Sequence, residues 1–499
     1  METELKLLLS PSDLPRVARA KAFSAARRGP ARSARFLAVY FDTPDRDLMR
    51  KGMALRLRKE GRAWKQTVKR ARMRLGGLAE RDEFEWSVAG ESLELELLKS
   101  SPLGRFFSKR KIAQRLRPVF RMDFRRRTVP LHFDDDSSAL LALDLGTIRA
   151  GRRSEPICEA EIELSGGTPL AMLDAAGALL EEFSCRMGHR SKAERANALL
   201  GGARAVPQKW HRPEFEPDLP ASLACLSLFD ACATQLHANE DGFLGGGDPE
   251  FLHHMRTGMR RLRVALSMPR DPEWRARLGA VASELKWASG ILGAARNWDV
   301  FASELVPPLA RACGAHSLSA LRRRVARNRR EAVQAARQAV RSPRYQKLGL
   351  ALARLGMITA STVALGMPAQ EFGDRAMSRR YRKLLAWSNP ASLDADELHR
   401  MRIATKKMRY VAEFFGSLYP QRKLKRFTGQ LESLQALLGT VNDAQVSARM
   451  VEHSARQAPI LDREAVGLAK GWIAAQEAFA RERLPAAWEA FRSLETYWK

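Results

Sequence analysis

Five short segments in the first third of the chain alternate charged and apolar side chains at a period of two, with the charges sorted by segment. Glu2, Glu4 and Lys6 share one face of the first segment. Arg56 and Arg58 alternate with Leu55 and Leu57, and Lys65, Thr67 and Lys69 alternate with Trp64, Gln66 and Val68. Glu83 and Glu85 alternate with Phe84, Trp86 and Val88, and Glu159, Glu161 and Glu163 with Cys158, Ala160, Ile162 and Leu164. Residues two apart on a strand point the same way, so each segment has one charged and one largely apolar face. A single strand of this kind is ordinarily half-buried with its charges in water. Five of them, mostly acidic or purely basic by strand, predict a sheet closed into a barrel with the charges inside. The apolar faces then need covering helices, for which Leu14 to Ala26, Leu170 to Phe183 and Ser191 to Leu200 are the candidates.

Enclosing so many charges is costly unless they neutralise one another or a ligand and metal ions. Clustered carboxylates suit a hard divalent cation such as Mg²⁺ or Mn²⁺. Clustered Arg and Lys suit phosphate oxygens. A chamber holding both is what metal-assisted phosphoanhydride chemistry requires.

Near residue 205 the period changes from two to that of long helices. The segment Gly201 to Ser222 carries two Gly and four Pro and reads as a linker. The expected organisation is an α+β domain at about 1–202 and an all-α domain at about 220–499. The helical part contains one pattern twice, His253, Arg256, Arg260, Arg261, Arg263 and then His399, Arg402, Lys406, Lys407, Arg409, 146 positions apart. Each copy is followed, 40 residues after its histidine, by the glycine of a Leu-Gly pair (Gly293, Gly439), which predicts two similar helical bundles. Offsets of 3, 7 and 10 fall on one helical stripe. Like charges stacked in this way repel unless an anion sits against them. Asn297, Asp299, Asn442 and Asp443 are expected to cap a helix or to orient the basic side chains, with capping preferred. The His253-His254 pair has no carboxylate or further His at metal-ligand spacing, which disfavours a metal there.

The formal charge of +29 agrees with an anionic partner. Nucleic-acid readers interleave aromatics or amides with their cations. The two stripes contain neither, so a featureless polyanion fits better than nucleic acid. Five cysteines without a close CxxC pair suggest buried thiols in a reducing compartment. Charged Glu2, Glu4 and Lys6 stand where a signal peptide would begin, so a cytoplasmic location is expected. The apolar stretch Leu348 to Ala369 contains Arg354 and reads as a buried helix rather than a membrane span.

The residues also resemble known families. Met1-Glu-Thr-Glu-Leu-Lys6 resembles the ExExK motif of the CYTH domain, the fold of tunnel triphosphatases, class IV adenylate cyclases and thiamine triphosphatases. Further matches, in order, are Tyr40 to Pro44, Ala54 to Arg58 with Thr67 to Lys69, Phe120 to Arg126, Ala142 to Gly146 with Glu159 to Glu163, and Ser191 to Arg195. The doubled histidine pattern resembles the CHAD domain, a duplicated helical domain named for its conserved histidines. Lys406 and Lys407 depart from the Arg-Arg of the first copy, which keeps the charge and loses bidentate geometry.

The resemblance implies an eight-stranded antiparallel tunnel that hydrolyses inorganic triphosphate, fused to a polyphosphate-binding helical module. It implies Glu4, Lys6, Arg56 and Lys69 as catalytic residues and Arg58, Lys65, Arg126 and Lys192 as substrate ligands. Glu2, Glu4, Asp144, Glu159, Glu161 and Glu163 would hold Mg²⁺ or Mn²⁺, with a first-strand glutamate as base. His253, Arg256, Arg260, Arg263, His399, Arg402, Lys406 and Arg409 would bind polyphosphate. For Glu83 and Glu85 the alternative role is to balance the Arg and Lys charges of the basic strands. The alternatives are a cyclase or another organic-triphosphate hydrolase of the CYTH family, and a non-catalytic binder of polyphosphate or nucleic acid. Cyclisation needs a base pocket, and no aromatic or amide residue is evident among the inward positions.

Overall fold

The computed structural model describes residues 2–75, 78–201, 206–313, 318–361, 366–456 and 463–498. Its contacts divide into two units, residues 1–207 with 340–356, and residues 208–339 with 357–499.

The first unit is built on eight long strands. They are β1 (Glu2–Leu8), β2 (Arg32–Asp42), β3 (Met53–Glu60), β4 (Ala63–Leu75), β5 (Leu78–Val88), β6 (Arg117–His132), β7 (Ser138–Ala150) and β8 (Arg153–Gly166). Their order is β5-β4-β3-β2-β6-β7-β8-β1, and β1 pairs back onto β5 through Glu4 and Ala79. The eight-stranded antiparallel barrel is therefore closed, as the sorted charges predict. Gly61 and Gly151, at φ +60° and +59°, supply the left-handed backbone that the tight β3–β4 and β7–β8 turns need. At Gly146 on β7 a Cβ would lie 2.2 Å from the Asp123 carbonyl oxygen of β6, so only glycine allows this approach.

The covering of the barrel differs from expectation. Helix Leu170–Glu182 buries Met172, Leu173, Leu179 and Leu180, as a covering helix should. Leu14 to Ala26 holds only the four-residue helix Leu14–Val17 and a 3-10 turn, Lys21–Phe23. The outer face of β3 and β4 (Leu55, Val68) is covered by Leu98, Phe107 and Ile112 from three short helices between β5 and β6. Helix Lys192–Leu200 does not cover an outer face. Its Ala196 packs with Phe36, Tyr40 and Phe124 on the inward side, and Lys192 lines the interior. The helix is amphipathic with cations on its buried side, and its place is set by the carboxylates it meets. Residues 340–356, downstream of the expected linker, also belong to this unit. There the Gln346 side chain accepts the Met187 N–H at 2.7 Å and donates to the Val340 carbonyl at 2.6 Å.

The second unit is helical. The first motif helix is Glu250–Leu266 and the second is Ala395–Phe414. The Leu-Gly pairs lie inside the long helices Pro272–Val300 and Gln421–Arg456. Each motif helix buries an apolar stripe, Leu252, Met255, Met259 and Leu262 in the first, and Leu398, Met401, Met408 and Val411 in the second. An Asp394/Glu397 capping box starts the second motif helix. Among the described residues no helix is long and apolar enough to cross a membrane; Leu348 to Ala369 begins inside helix Pro343–Ser361. Cys158, Cys185, Cys225 and Cys232 form no disulfide.

Candidate functional site

The barrel encloses a cavity of about 630 Å³. Strand order places β3 diametrically opposite β8 in the ring of eight. Arg56 and Arg58 of β3 thus line one wall, and Glu161 and Glu163 of β8 the facing wall. Glu4 and Lys6 of β1, Lys69 of β4, Arg126 of β6 and Lys192 complete the set that the sequence brings together.

Backbone register explains the carboxylate wall. On β1 and β8, Glu4 stands opposite Glu163 and Lys6 opposite Glu161. Arg126 spans this wall, donating to Asp144 at 2.7 and 2.8 Å, to Glu161 at 2.5 Å and to Glu163 at 3.1 Å. Lys192 pairs with Asp144 at 2.7 Å and Glu161 at 3.0 Å, and also with Glu159. Burial opposes ionisation of Glu161, yet Lys192, Lys6 and Arg126 hold its carboxyl well below the usual range. Burial likewise opposes a charge on Lys192, but Asp144, Glu159 and Glu161 hold its ammonium well above the ordinary lysine value. Glu4 is held low against burial by Lys6, Arg81 and Lys69.

Three expected site residues fall elsewhere. Asp144 and Glu159 are fully buried and do not line the cavity. They sit where helix Lys192–Leu200 closes the barrel, and Arg195 takes Glu159 at 2.7 Å. Lys65 does not line the cavity either, and pairs with Glu85 at 2.7 Å. The Glu2 side chain is outside the described residues. Glu83 and Glu85 do balance the basic strands, through Arg56 (3.6 Å), Lys69 (3.2 Å) and Arg58 (3.2 Å). Arg56 and Arg58 nevertheless keep buried Nε groups without a hydrogen bond among the described residues.

Sequence reasoning missed Arg81, which lines the cavity and pairs with Glu4. Its signal was present, because Arg81, Glu83 and Glu85 share one parity on β5. Tyr40, Phe124 and Asn197 also line the cavity, which corrects the expectation of no inward aromatic or amide. Both rings are nearly covered, Tyr40 stacked on Phe120 at 4.7 Å and Phe124 on Phe36 at 5.5 Å.

Among the described residues two all-carboxylate trios could hold a metal ion, Glu4/Glu161/Glu163 and Asp144/Glu159/Glu161, each with oxygens within 4.8 Å of one another. The second is already neutralised by Lys6, Lys192 and Arg195. All three members of the first line the cavity, and an all-carboxylate set fits a hard divalent cation.

In the second unit a cleft of about 760 Å³ gathers His253, Arg256, Arg260 and Arg261 from one motif helix and His399, Arg402, Lys406 and Arg409 from the other. Arg263 does not line it. The first helix presents the position eight beyond its histidine, Arg261, where the second presents the position ten beyond, Arg409. The two helices therefore meet the cleft at slightly different rotations. Arg261 reaches Glu413 at 3.1 Å and lies over the Trp210 ring at 4.7 Å. Asn297, Asp299, Asn442 and Asp443 are not caps, because all four lie within helices. Asn442 bonds the His399 ring at 2.7 Å, and Asp443 lies 3.6 Å from Arg402. Burial and the neighbouring Arg402 and Arg260 push the Lys406 ammonium down to about 6. Burial and Arg260, Arg296 and Arg402 push Arg256 down to about 10. The buried Nε groups of Arg260, Arg261, Arg402 and Arg409 find no acceptor among the described residues. Cations clustered and desolvated in this way are costly without a counter-charge.

A closed antiparallel tunnel with a charged interior, followed in the chain by a helical unit with a doubled cationic stripe, defines the class. The CYTH domain model matches residues 1–196 and the CHAD domain model residues 227–452. The chain belongs to the proteins that join a CYTH domain to a CHAD domain. It is 32% identical to the CHAD domain from the plant Ricinus communis, over 58% of this chain and 98% of that one, with a TM-score of 0.52. It is also 30% identical over 162 residues, 32% of its length, to the inorganic triphosphatase of Haemophilus influenzae. That match spans 45% of the relative, less than half its length.

Proposed function

We propose that the tunnel hydrolyses inorganic triphosphate to diphosphate and phosphate with Mg²⁺ or Mn²⁺, and that the CHAD domain binds inorganic polyphosphate. The observation that carries the reading is the cavity's facing walls, with Glu4, Glu161 and Glu163 on one side and Arg56 and Arg58, with open Nε donors, on the other. The Haemophilus influenzae relative named as an inorganic triphosphatase supports the same activity.

In this reading Arg56, Arg58 and Arg126 hold phosphate oxygens, and the substrate takes over from Glu83 and Glu85 as partner of the basic wall. Glu4, Glu161 and Glu163 would hold the cation, which when bound offsets phosphate charge and acidifies water. Glu4 takes the proton of the attacking water, and Lys6, Lys69 and Lys192 stabilise the charge that grows on the leaving diphosphate. Asp144, Glu159 and Arg195 position Lys192 and Lys6. The rings of Tyr40 and Phe124 are stacked away on other aromatics, so the described cavity has no free ring face for a base. This favours the bare triphosphate over a nucleotide.

The test is initial phosphate release from triphosphate, ATP and thiamine triphosphate side by side, with product analysis for a cyclic monophosphate. Fastest turnover of triphosphate supports the reading. Faster turnover of an organic triphosphate, or cyclisation, replaces it.

A further inference from the structure

The helical unit has a second cationic cleft apart from the histidine stripes. It encloses about 1050 Å³, and Arg322, Arg323, Arg329, Arg330 and Arg337 of helix Ser319–Arg341 line it. Positions 322, 326, 329, 333 and 337 all line the cleft at steps of three and four, so one face of the helix forms the wall. From 322 to 337 that wall runs about 22 Å. The loop Gly246, Gly247 and Asp248 contributes to the lining as well.

The acids beside this wall are already engaged. Asp299, buried, takes Arg329 at 2.6 Å. Asp248 accepts the Glu250 N–H at 2.8 Å. Glu331 on the same helix pairs with Arg327, and neither lines the cleft. Arg337 donates to the Phe243 carbonyl at 3.0 Å and covers the Phe243 ring. Arg322, Arg323 and Arg330 are exposed and form no ion pair among the described residues. A solvated helix face usually mixes signs. This one presents a row of a single sign to a cleft.

We propose that this groove is a second binding track for inorganic polyphosphate, separate from the cleft at His253 and His399. The proposal rests on the reading that the CHAD domain takes polyphosphate. A row about 22 Å long suits a linear phosphate chain better than a compact phosphate ester. Single-stranded nucleic acid wants ring platforms between its cations, and the ring here, Phe243, is buried beneath Arg337. Both clefts draw on the same two helices, Leu252 and Asp299 lining the groove while His253 and Asn297 line the histidine cleft. A long chain can therefore engage both and gain from the linkage.

The experiment titrates the full chain with long-chain polyphosphate across a range of salt, with duplex DNA as competitor. The groove variant is Arg322→Ala with Arg323→Ala and Arg330→Ala; the cleft variant is Arg256→Ala with Arg260→Ala and Arg402→Ala. All three groove positions are exposed on a helix that accepts alanine readily, and circular dichroism checks the fold. The groove variant should lose about tenfold in affinity, as expected for three exposed charge contacts, and its salt dependence should flatten. Wild-type affinity in the groove variant, with loss in the cleft variant, overturns the second track and leaves the CHAD reading standing. Wild-type affinity in both overturns the two together. A groove variant that loses only its binding to DNA also overturns the proposal, in favour of nucleic acid.

Discussion

Lys6 Nζ lies 2.7 Å from Glu161, and the two residues face each other in direct register across β1 and β8. This pair ties the ExExK strand to the acidic strand and fixes which face of each looks inward. A slip of one residue in either strand would turn every charge outward. The tunnel's charge pattern and its fold are in this sense one specification.

Glu4→Gln removes one carboxylate charge from the cavity trio and from the Arg81–Glu4 pair. Triphosphate hydrolysis should fall by about a hundredfold or more, with the fold retained by circular dichroism. Turnover near that of wild type would remove Glu4 from the mechanism.

Arg56→Ala and Lys69→Ala should each raise KM and lower kcat, by about tenfold to a hundredfold in kcat/KM. Arg62, exposed in the β3–β4 turn, is the contrast, and Arg62→Ala should be silent. Equal damage from all three would show the inward faces to be misassigned.

Gly146→Ala forces a Cβ against the Asp123 carbonyl. The barrel should lose about 1–3 kcal/mol or more of stability, read as a lower Tm of the full chain. An unchanged Tm would contradict the β6–β7 approach.

The CHAD cleft predicts a pH dependence. Burial, Arg402 and Arg260 hold Lys406 at about 6, and a bound polyanion raises that value by supplying the missing counter-charge. Binding should then take up a proton near pH 7.5, seen by calorimetry in buffers of different ionisation enthalpy. The Lys406 contribution to affinity is complete below pH 6 and fades as pH rises toward the bound value. For the ligand-free chain the sign is opposite. The unfolded state keeps this proton to higher pH than the folded state, so Lys406 adds stability as pH rises above about 6. Lys406→Met should abolish the proton uptake, and persistence of the uptake would assign it to another group.

The sorted alternation of Glu4, Arg56, Lys69 and Glu161 made the barrel legible, because a period of two directly reports strand faces. Periodicity alone did not place helix Lys192–Leu200 inside the barrel; only the family resemblance, through Lys192, pointed there. Its pattern states that one side is buried, and the surface it meets is chosen by Asp144, Glu159 and Glu161 from distant strands. Arg81 could have been found from its parity with Glu83 and Glu85. Arg263 could not have been excluded, since its offset equals that of Arg409, and only the packing of the two motif helices separates them. Asn442 and Asp443 sit deep inside a helix whose ends the local sequence does not mark, so the preferred capping role fails and their contacts with His399 and Arg402 fit the other expected role, orienting the basic side chains.

The most direct measurement is phosphate release from inorganic triphosphate by the intact chain, with Mg²⁺ or Mn²⁺ and again after chelation, in wild type and in Glu161→Gln. Metal-dependent release in wild type, lost on chelation and in the variant, is the predicted result. Release that survives both treatments, or no release from wild type with either metal, would contradict the assignment of triphosphate hydrolysis to the tunnel.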